Sequence, residues 1–399
     1  MARVIMHIDL NAFFVRCEEI KNPELVGKPV LIGNTGRAGI VSTASYAARK
    51  MGCHSGQPMF QALEKCPKAI VIPGDHRFYS LMSQAFLAYL SRYSDKIEQA
   101  SIDEAYVDMT AALTGVGDVE KELLSLQQGL YRETQLYCSI GIAPTKWLAK
   151  MGSDLKKPNG LTFVRKKDIE KIIYPLPIES FWGIGKKSAP RLRSMGIATI
   201  GDLGKRISSN DQALLSFFGK YYYQVKAELS GNSSDEVVSE EEDPKSIGNS
   251  ETLLSDQTDE SKIFPVIARL SESVSKRAKA QGLVGRGVTL SVKDTLFHLH
   301  SGSTMLGEDS NETRKINEAA IKIYEEKFAK SIENGMAIRL VGVSLTHLSD
   351  PKKANVQMSL WNYEQYEEMD KTKLLIADLN NKLDKPSLLK ASDLKGKKK

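Results

Sequence analysis

Three acidic residues make the first case for chemistry. Asp9 closes a short apolar run over residues 4–9, and Asp103 and Glu104 stand side by side where a hairpin over residues 96–109 turns. Carboxylates at strand ends are oxygen ligands suited to a hard cation such as Mg2+. If the two strands are neighbours, three carboxylates converge on one rim, and two ions sharing them suit in-line phosphoryl or nucleotidyl transfer. Spacing alone does not bring them together. Taken singly, an Asp at a strand end is more often a helix cap or a turn residue. Asp103 and Glu104 also face opposite sides of a regular strand, so both reach one site only if the backbone turns there.

A second set of residues suits phosphate. Thr43, Tyr46 and Arg49 lie in STASYAARK, where Tyr46 and Arg49 share a helix face three residues apart. Arg supplies a bidentate fork for phosphate oxygens. Lys157 precedes the turn Pro158-Asn159-Gly160, which aims its amine. Each of these, alone, is more often a surface ion pair. The loop over residues 33–37 lacks the Gly-Lys-Ser/Thr of a Walker loop. Further on, FWGIGKKSAPRL and MGIATIGDL read as helix, Gly-Ile-Gly turn, helix. Gly183 and Gly185 let backbone N–H groups approach a phosphate, and Lys186, Lys187, Arg191 and Arg193 surround them. Such a helix-hairpin-helix resembles non-specific binders of the DNA backbone. The plainer reading is a tight helical hairpin with solvated lysines.

The elements that must hold these residues are legible in outline. A strand over 4–9 runs straight into a helix with Ala12, Phe13, Cys17 and Ile20 near helical spacing. Strands over 29–32 and 40–43 lead to a helix over 45–51, and another helix covers 79–92. Ala105, Val107 and Met109 alternate with Glu104, Tyr106 and Asp108, the period of a half-buried strand. A strand over 137–142 is followed by a helix with apolar positions Leu148, Met151 and Leu155. Residues 178–231 read as helical. Beyond an acidic stretch, strands over 246–252, 287–293 and 337–345 alternate with helices over 259–281 and 311–331, a small α+β unit.

Composition narrows the class. The chain of 399 residues is 41% hydrophobic and 26% charged, ordinary for a globular protein of two to four domains. No run approaches the ~18 apolar residues of a membrane span, and residues 1–9 lack the pattern of a signal peptide. The four cysteines Cys17, Cys53, Cys66 and Cys138 form no Cys-x-x-Cys pair, which argues against a disulfide framework or structural zinc. A cytoplasmic protein is expected. The net charge of +6 is weak evidence of any partner, but residues 235–243 carry six acids and residues 385–399 carry six lysines, the pattern of linkers or arms.

The motifs taken in order resemble one family. HIDLNAFFVRCEE, STASYAARK, ASIDEAYVDM, GIAPTKWLAK, KKPNG, FWGIGKK and IRLVGVSL follow the order of the Y-family translesion DNA polymerases, most like the DinB or DNA polymerase IV type. The likeness runs over residues 4–348. It implies an α+β multidomain right-handed polymerase. Palm would cover residues 1–20 and 76–164, and small fingers 21–75. A thumb with the helix-hairpin-helix would cover 165–231, an acidic linker 232–244, an α+β little finger 245–349 and a flexible tail 350–399. The resemblance makes Asp9, Asp103 and Glu104 catalytic metal carboxylates, with the Leu10 carbonyl as a further ligand for two Mg2+ ions or substituting Mn2+. It assigns Phe13, Phe14, Thr43, Tyr46, Arg49 and Lys157 to the incoming nucleotide, with Phe14 as the steric gate against a ribose 2′-hydroxyl. Gly183, Gly185, Lys186 and Lys187 would contact DNA.

Departures from the family pattern are modest. Leu10 stands where a methionine or aromatic is usual, and Asn11 replaces a frequent aspartate, which leaves it outside the metal set. Thr145 stands for a common asparagine and can still cap its helix. Gly152 stands for a common alanine, at a cost of ~1 kcal/mol inside a helix. Gln357, Leu360 and Trp361 in QMSLW resemble the peptide by which bacterial polymerases dock on the sliding clamp. The expected function is low-fidelity, template-directed DNA synthesis past damaged bases, without a proofreading exonuclease. The expected partners are primer-template DNA, deoxynucleoside triphosphates and the clamp, for a monomer away from membranes. Two rivals remain: another palm-fold nucleotidyl transferase such as a cyclase, and a non-catalytic, clamp-recruited DNA-binding accessory protein.

Overall fold

A computed structural model of the chain describes residues 3–233, 236–240 and 243–351. The chain divides into two compact units, Met1–Glu242 and Asp243–Lys399.

The first unit is built around β1 (Ile5–Leu10), whose six residues are all buried. Such a strand, covered on both faces, is expected to read as nearly continuous apolar sequence. His7 and Asp9 break that pattern. Helix α1 (Phe13–Lys21) follows directly, entered through Ala12 in the left-handed conformation (φ 47°). The chain then makes a small separate sheet from β2 (Val30–Gly33), β3 (Val41–Ala44) and, after α2 (Tyr46–Lys50) and α3 (Met59–Lys65), β4 (Ile70–Ile72). Its order is β3-β2-β4. Sequence periodicity did not disclose α3 or β4, which are only seven and three residues long.

Helix α4 (His76–Leu90) returns the chain to the first sheet. There follow β5 (Ile97–Gln99), β6 (Glu104–Asp108), α5 (Val119–Thr134), β7 (Cys138–Ala143), α6 (Lys146–Leu155) and β8 (Leu161–Phe163). The five strands order as β5-β6-β1-β7-β8, with β1 antiparallel to both neighbours. The hairpin expected over 96–109 is therefore next to the strand that carries Asp9. One face of the sheet packs Met6 and Ile8 with Phe86, Leu123, Leu126 and Leu130 of α4 and α5. Helix α6 lies close on β7 and β1. That closeness rests on two glycines. A Cβ on Gly141 would meet the Ala149 carbonyl oxygen at 2.0 Å, and one on Gly152 would meet Gly141 Cα at 3.3 Å. Gly152, which costs helix propensity, thus lets α6 seat against the sheet. Thr145 caps α6 by accepting the Leu148 N–H at 3.3 Å.

A helical region completes this unit: α7 (Ala189–Ser194), α8 (Ile200–Ser208), α9 (Gln212–Phe218) and α10 (Tyr221–Leu229). Trp147 of α6 packs on Phe181 at 4.7 Å between ring centroids and joins this region's core to the sheet. Part of the acidic stretch is held rather than loose. The Val238 N–H donates to Glu98 at 2.9 Å, and the Ile97 N–H donates to the Ser239 hydroxyl at 3.2 Å.

The second unit carries a four-stranded antiparallel sheet. Its elements are β9 (Ser246–Gln257), α11 (Glu260–Ala280), β10 (Val284–Asp294), β11 (Leu299–Ser310), α12 (Thr313–Lys327), α13 (Ala329–Glu333) and β12 (Ile338–Ser349). The order is β11-β10-β12-β9. Ile263, Ile267, Ile316 and Ile323 of the helices pack on Val288, Leu290, Val341 and Val343. Strand β11 is an addition to the expected unit, and the helix expected over 311–331 is interrupted at Phe328, giving α12 and α13. The cysteines are buried and free. Among the described residues, no helix is long and apolar enough to cross a membrane.

Candidate active site

The carboxylate of Asp9 projects from the end of β1, and its Cα partner across the ladder is Glu104, the first residue of β6. Asp103 precedes the strand, in a turn where the N–H groups of Ala100 and Ser101 donate to the Glu104 carbonyl. The backbone does turn at this pair, as both residues serving one rim requires. Asp103 accepts the Leu10 N–H on its carbonyl at 2.9 Å. Its carboxylate accepts the Ser101 hydroxyl at 2.7 Å. Asp9 and Glu104 are thus brought together, with the Leu10 backbone and Asp103 beside them.

Helix α6 adds a residue that sequence reasoning missed. Lys150 is buried, and its Nζ lies 2.7 Å from Glu104 Oε1 and 3.3 Å from Asp9 Oδ2. Lys157 reaches the same carboxylate: its Nζ is 2.6 Å from Asp9 Oδ2 and 2.7 Å from Asp154 Oδ1. A lysine one turn into an amphipathic helix looks solvated in sequence. Only the close seating of α6 turns it inward. His7 lies behind the pair, with Nδ1 2.8 Å from the Ser153 hydroxyl and Nε2 3.5 Å from Glu104 Oε2.

These contacts set the electrostatics. Burial pushes the Asp9 carboxyl up to about 7; the adjacent Glu104 adds to the rise, and Lys157 and Lys150 oppose it. Burial would raise Glu104 as well, but hydrogen bonds with His7, Asp9 and Lys150 hold it well below the usual carboxylate range. Burial keeps the His7 imidazole below its ordinary value. Burial works against the charge on both lysines, yet the surrounding acids hold each above its ordinary value. A buried and a part-buried carboxylate that draw two ammonium groups form an all-oxygen donor set with a demand for positive charge. That set fits a hard divalent cation. The described residues hold no ready-made cluster of three such ligands, and the Asp103 carboxylate is engaged by Ser101.

The phosphate candidates gather on the adjoining small sheet. Tyr46 opens α2, and the Arg49 guanidinium lies over its ring at 5.0 Å from the centroid while donating to the Ala44 carbonyl at 2.9 Å. Thr43 is part-buried on β3. Burial raises the Tyr46 phenol, and the charges of Arg49, Lys157 and Asp9 all act on it. The two adjacent phenylalanines separate. The Phe13 ring is 2% exposed, inside the core against Tyr79. Phe14 is half-buried and stacks on Tyr79 at 4.4 Å between centroids.

The Gly-Ile-Gly joint stands apart from these residues. Gly183 has φ 108°, and a Cβ there would meet the Tyr221 hydroxyl at 2.4 Å. Gly185, Lys186 and Lys187 are exposed. Two of the flanking cations are engaged: Arg193 pairs with Glu179 at 2.6 Å, and Arg191 lies over Phe217. Gln357, Leu360 and Trp361 lie outside the described residues.

Comparison with known proteins decides the family. The impB/mucB/samB family matches residues 8–154, the HHH motif of the same family matches 166–197, and the family's C-terminal domain matches 244–360. A DNA polymerase IV of Bacillus anthracis is 34% identical over 395 residues, 98% of this chain and 94% of that relative. The chain belongs to the Y-family DNA polymerases of the DNA polymerase IV, or DinB, type. Among solved structures, a Y-family DNA polymerase chimera of Dbh and Dpo4 has a TM-score of 0.76 at 26% identity, covering 89% of this chain and 100% of its own. The insertion ternary complex of Dbh DNA polymerase has a TM-score of 0.60 at 26% identity, over 86% of this chain and 98% of its own. This polymerase therefore has the palm, fingers, thumb and little finger of its family. It is a DNA-directed DNA polymerase of the translesion type.

Proposed function

We propose that this polymerase extends primer-template DNA with deoxynucleoside triphosphates by two-metal nucleotidyl transfer, at low fidelity and without proofreading. The observation that carries the reading is the Asp9–Glu104 pair, with Lys157 on Asp9 and Tyr46 and Arg49 beside the adjoining sheet. Asp9, Asp103, Glu104 and the Leu10 carbonyl would hold two Mg2+ ions, or Mn2+ in their place. When bound, the ions would supply the lowered pKa of the primer hydroxyl and the neutralising charge for the leaving phosphates.

The chain's own residues do the rest. Lys157, now on Asp9 and Asp154, is placed to offer its ammonium to the triphosphate. Thr43, Tyr46 and Arg49 grip phosphate oxygens, Arg49 through its planar fork. Asp103 leaves Ser101 to join the other carboxylates. Phe14, backed by Tyr79, closes against the sugar and excludes a 2′-hydroxyl. Gly183, Gly185, Lys186 and Lys187 hold the DNA backbone through phosphate contacts that carry no sequence information. The small-sheet fingers, three strands of three or four residues, make a slight lid over the nascent pair, which favours tolerance of lesions over selectivity. Both described units are taken up by polymerase domains, which leaves an exonuclease no place among the described residues.

The domain limits proposed are 1–20 with 76–164 for the palm, 21–75 for the fingers, 165–231 for the thumb, 232–244 for the linker, 245–349 for the little finger and 350–399 for the tail. We further propose a cytoplasmic monomer recruited by the sliding clamp through Gln357, Leu360 and Trp361. Primer extension on undamaged template and across a panel of defined lesions, with Mg2+, tests the reading. Extension on both supports it. Failure to extend any primer would favour the accessory protein or the cyclase.

A further inference from the structure

The buried amide of Asn11 has no part in the reading above, yet every polar atom on it is engaged. Asn11 is 5% exposed. Its Oδ1 accepts the backbone N–H of Asn159 at 2.8 Å. Its Nδ2 donates to the Ser139 hydroxyl at 3.0 Å, and Ser139 is fully buried. Its backbone N–H donates to the Tyr137 carbonyl at 2.7 Å. One side chain therefore ties the end of β1 to β7 and to the turn after α6.

That turn is the one that presents Lys157. Asn159 sits in the left-handed region at φ 62°. A Cβ on Gly160 would meet the Lys156 carbonyl oxygen at 2.1 Å, so the turn is tight as well. Its carbonyl side is held by Gln127, whose Nε2 donates to the Asn159 carbonyl at 3.2 Å and the Cys138 carbonyl at 2.7 Å. Among the described residues, the Asn159 N–H is held by Asn11. Asn11 lies two residues beyond Asp9, so the carboxylate and the turn carrying Lys157 share one anchor.

We propose that Asn11 is a positioning residue for the triphosphate: it fixes the Lys157 turn so that the ammonium stands between Asp9 and the incoming nucleotide. A neutral amide suits this place. Its Oδ1 accepts the Asn159 N–H as a carboxylate oxygen would, and its Nδ2 also donates to Ser139. Losing the acceptor leaves the part-buried Asn159 N–H without its protein partner, and loss of one such hydrogen bond commonly corresponds to up to about a tenfold change. The inference rests on the proposed role of Lys157.

The test measures binding of the templated deoxynucleotide to enzyme on a dideoxy-terminated primer, together with KM and kcat on an extendable one. Asn11→Ala should weaken nucleotide binding about tenfold and raise KM, with kcat and DNA affinity little changed. Asn11→Asp, which keeps the acceptor, should stay within about threefold of wild type. In a Lys157→Ala background, Asn11→Ala should have no further effect on nucleotide binding. If Lys157→Ala alone leaves nucleotide binding unchanged, the role assigned to Lys157 is wrong. If Lys157→Ala weakens binding but Asn11→Ala does not, or if the two effects add, the role assigned to Asn11 is wrong. Melting temperatures come from the same preparations. If Asn11→Ala does not fold, Asn11→Ser replaces it: its hydroxyl stays near Ser139 but is too short to reach Asn159, and the same outcomes apply.

Discussion

Lys150→Met removes one charge from the centre of the active site and keeps the length of the side chain. Wild-type Lys150 is 8% exposed at its side chain and touches Glu104 at 2.7 Å and Asp9 at 3.3 Å. Removing one partner of a buried ion pair costs about 3–5 kcal/mol. Two features lower that figure here. Glu104 keeps 26% of its side chain in solvent, and Lys157 stays on Asp9 at 2.6 Å. The low end, about 3 kcal/mol, is then expected. At about 2–4 °C per kcal/mol for a unit of this size, the melting temperature in EDTA should fall by about 6–12 °C. Millimolar Mg2+ should recover much of that loss, because a divalent ion supplies the missing positive charge. The Mg2+-induced rise should therefore be larger for Lys150→Met than for wild type, in which an ammonium competes for the same carboxylates. Scanning calorimetry with and without Mg2+ reads both quantities. A variant that melts with wild type in EDTA, or gains no more from Mg2+, refutes the claim that Lys150 neutralises this pair.

Three further outcomes are expected. Phe14→Ala should admit ribonucleotides, with deoxynucleotide incorporation changed by less than about tenfold, since a wall is removed and no phosphate contact is lost; unchanged sugar discrimination in single-nucleotide incorporation would place the gate elsewhere. Reversing Lys186 and Lys187 to Glu should weaken DNA binding alike on all sequences and flatten its dependence on salt, the mark of phosphate contacts; a loss confined to some sequences would mean that the joint reads bases. Replacing Leu360 and Trp361 with Ala should abolish stimulation by the clamp while basal extension and melting temperature persist, because apolar anchors dominate short-peptide binding; a joint loss of stability and basal activity would make them core residues instead.

The sequence made some of this site plain and concealed the rest for physical reasons. Asp9 and Glu104 were legible because a polar residue at the end of an apolar strand stands out, and the alternation from Glu104 to Asp108 marks β6. Lys150 was hidden. Its inward turn depends on Gly141 and Gly152 letting α6 approach the sheet, a contact between residues eleven apart that no period reveals. Asn11 was set aside because it is not a carboxylate, whereas its partners Ser139 and Asn159 are far along the chain. Phe13 and Phe14 are neighbours with the same chemistry, and only burial separates the core ring of Phe13 from the half-buried ring of Phe14. Strand β11 was missed because it is an edge strand with mostly exposed, polar and glycine-containing sequence, so the alternation that betrays a strand is faint. The helical thumb was readable only as a region, since its helices are six to nine residues long and too short for periodicity to set their limits.

The central claim is that Asp9, Asp103 and Glu104 form one carboxylate site that drives nucleotidyl transfer. The direct measurement is the single-turnover rate of primer extension by Asp103→Ala and by Glu104→Ala, alongside DNA affinity by fluorescence anisotropy. Each variant should lose most of its extension while binding DNA nearly as wild type does, because affinity for DNA rests on Lys and Arg contacts to phosphate. Asp103 is the sharper of the two, since its carboxylate must leave Ser101 to take part. Extension by Asp103→Ala at close to the wild-type rate would contradict the claim.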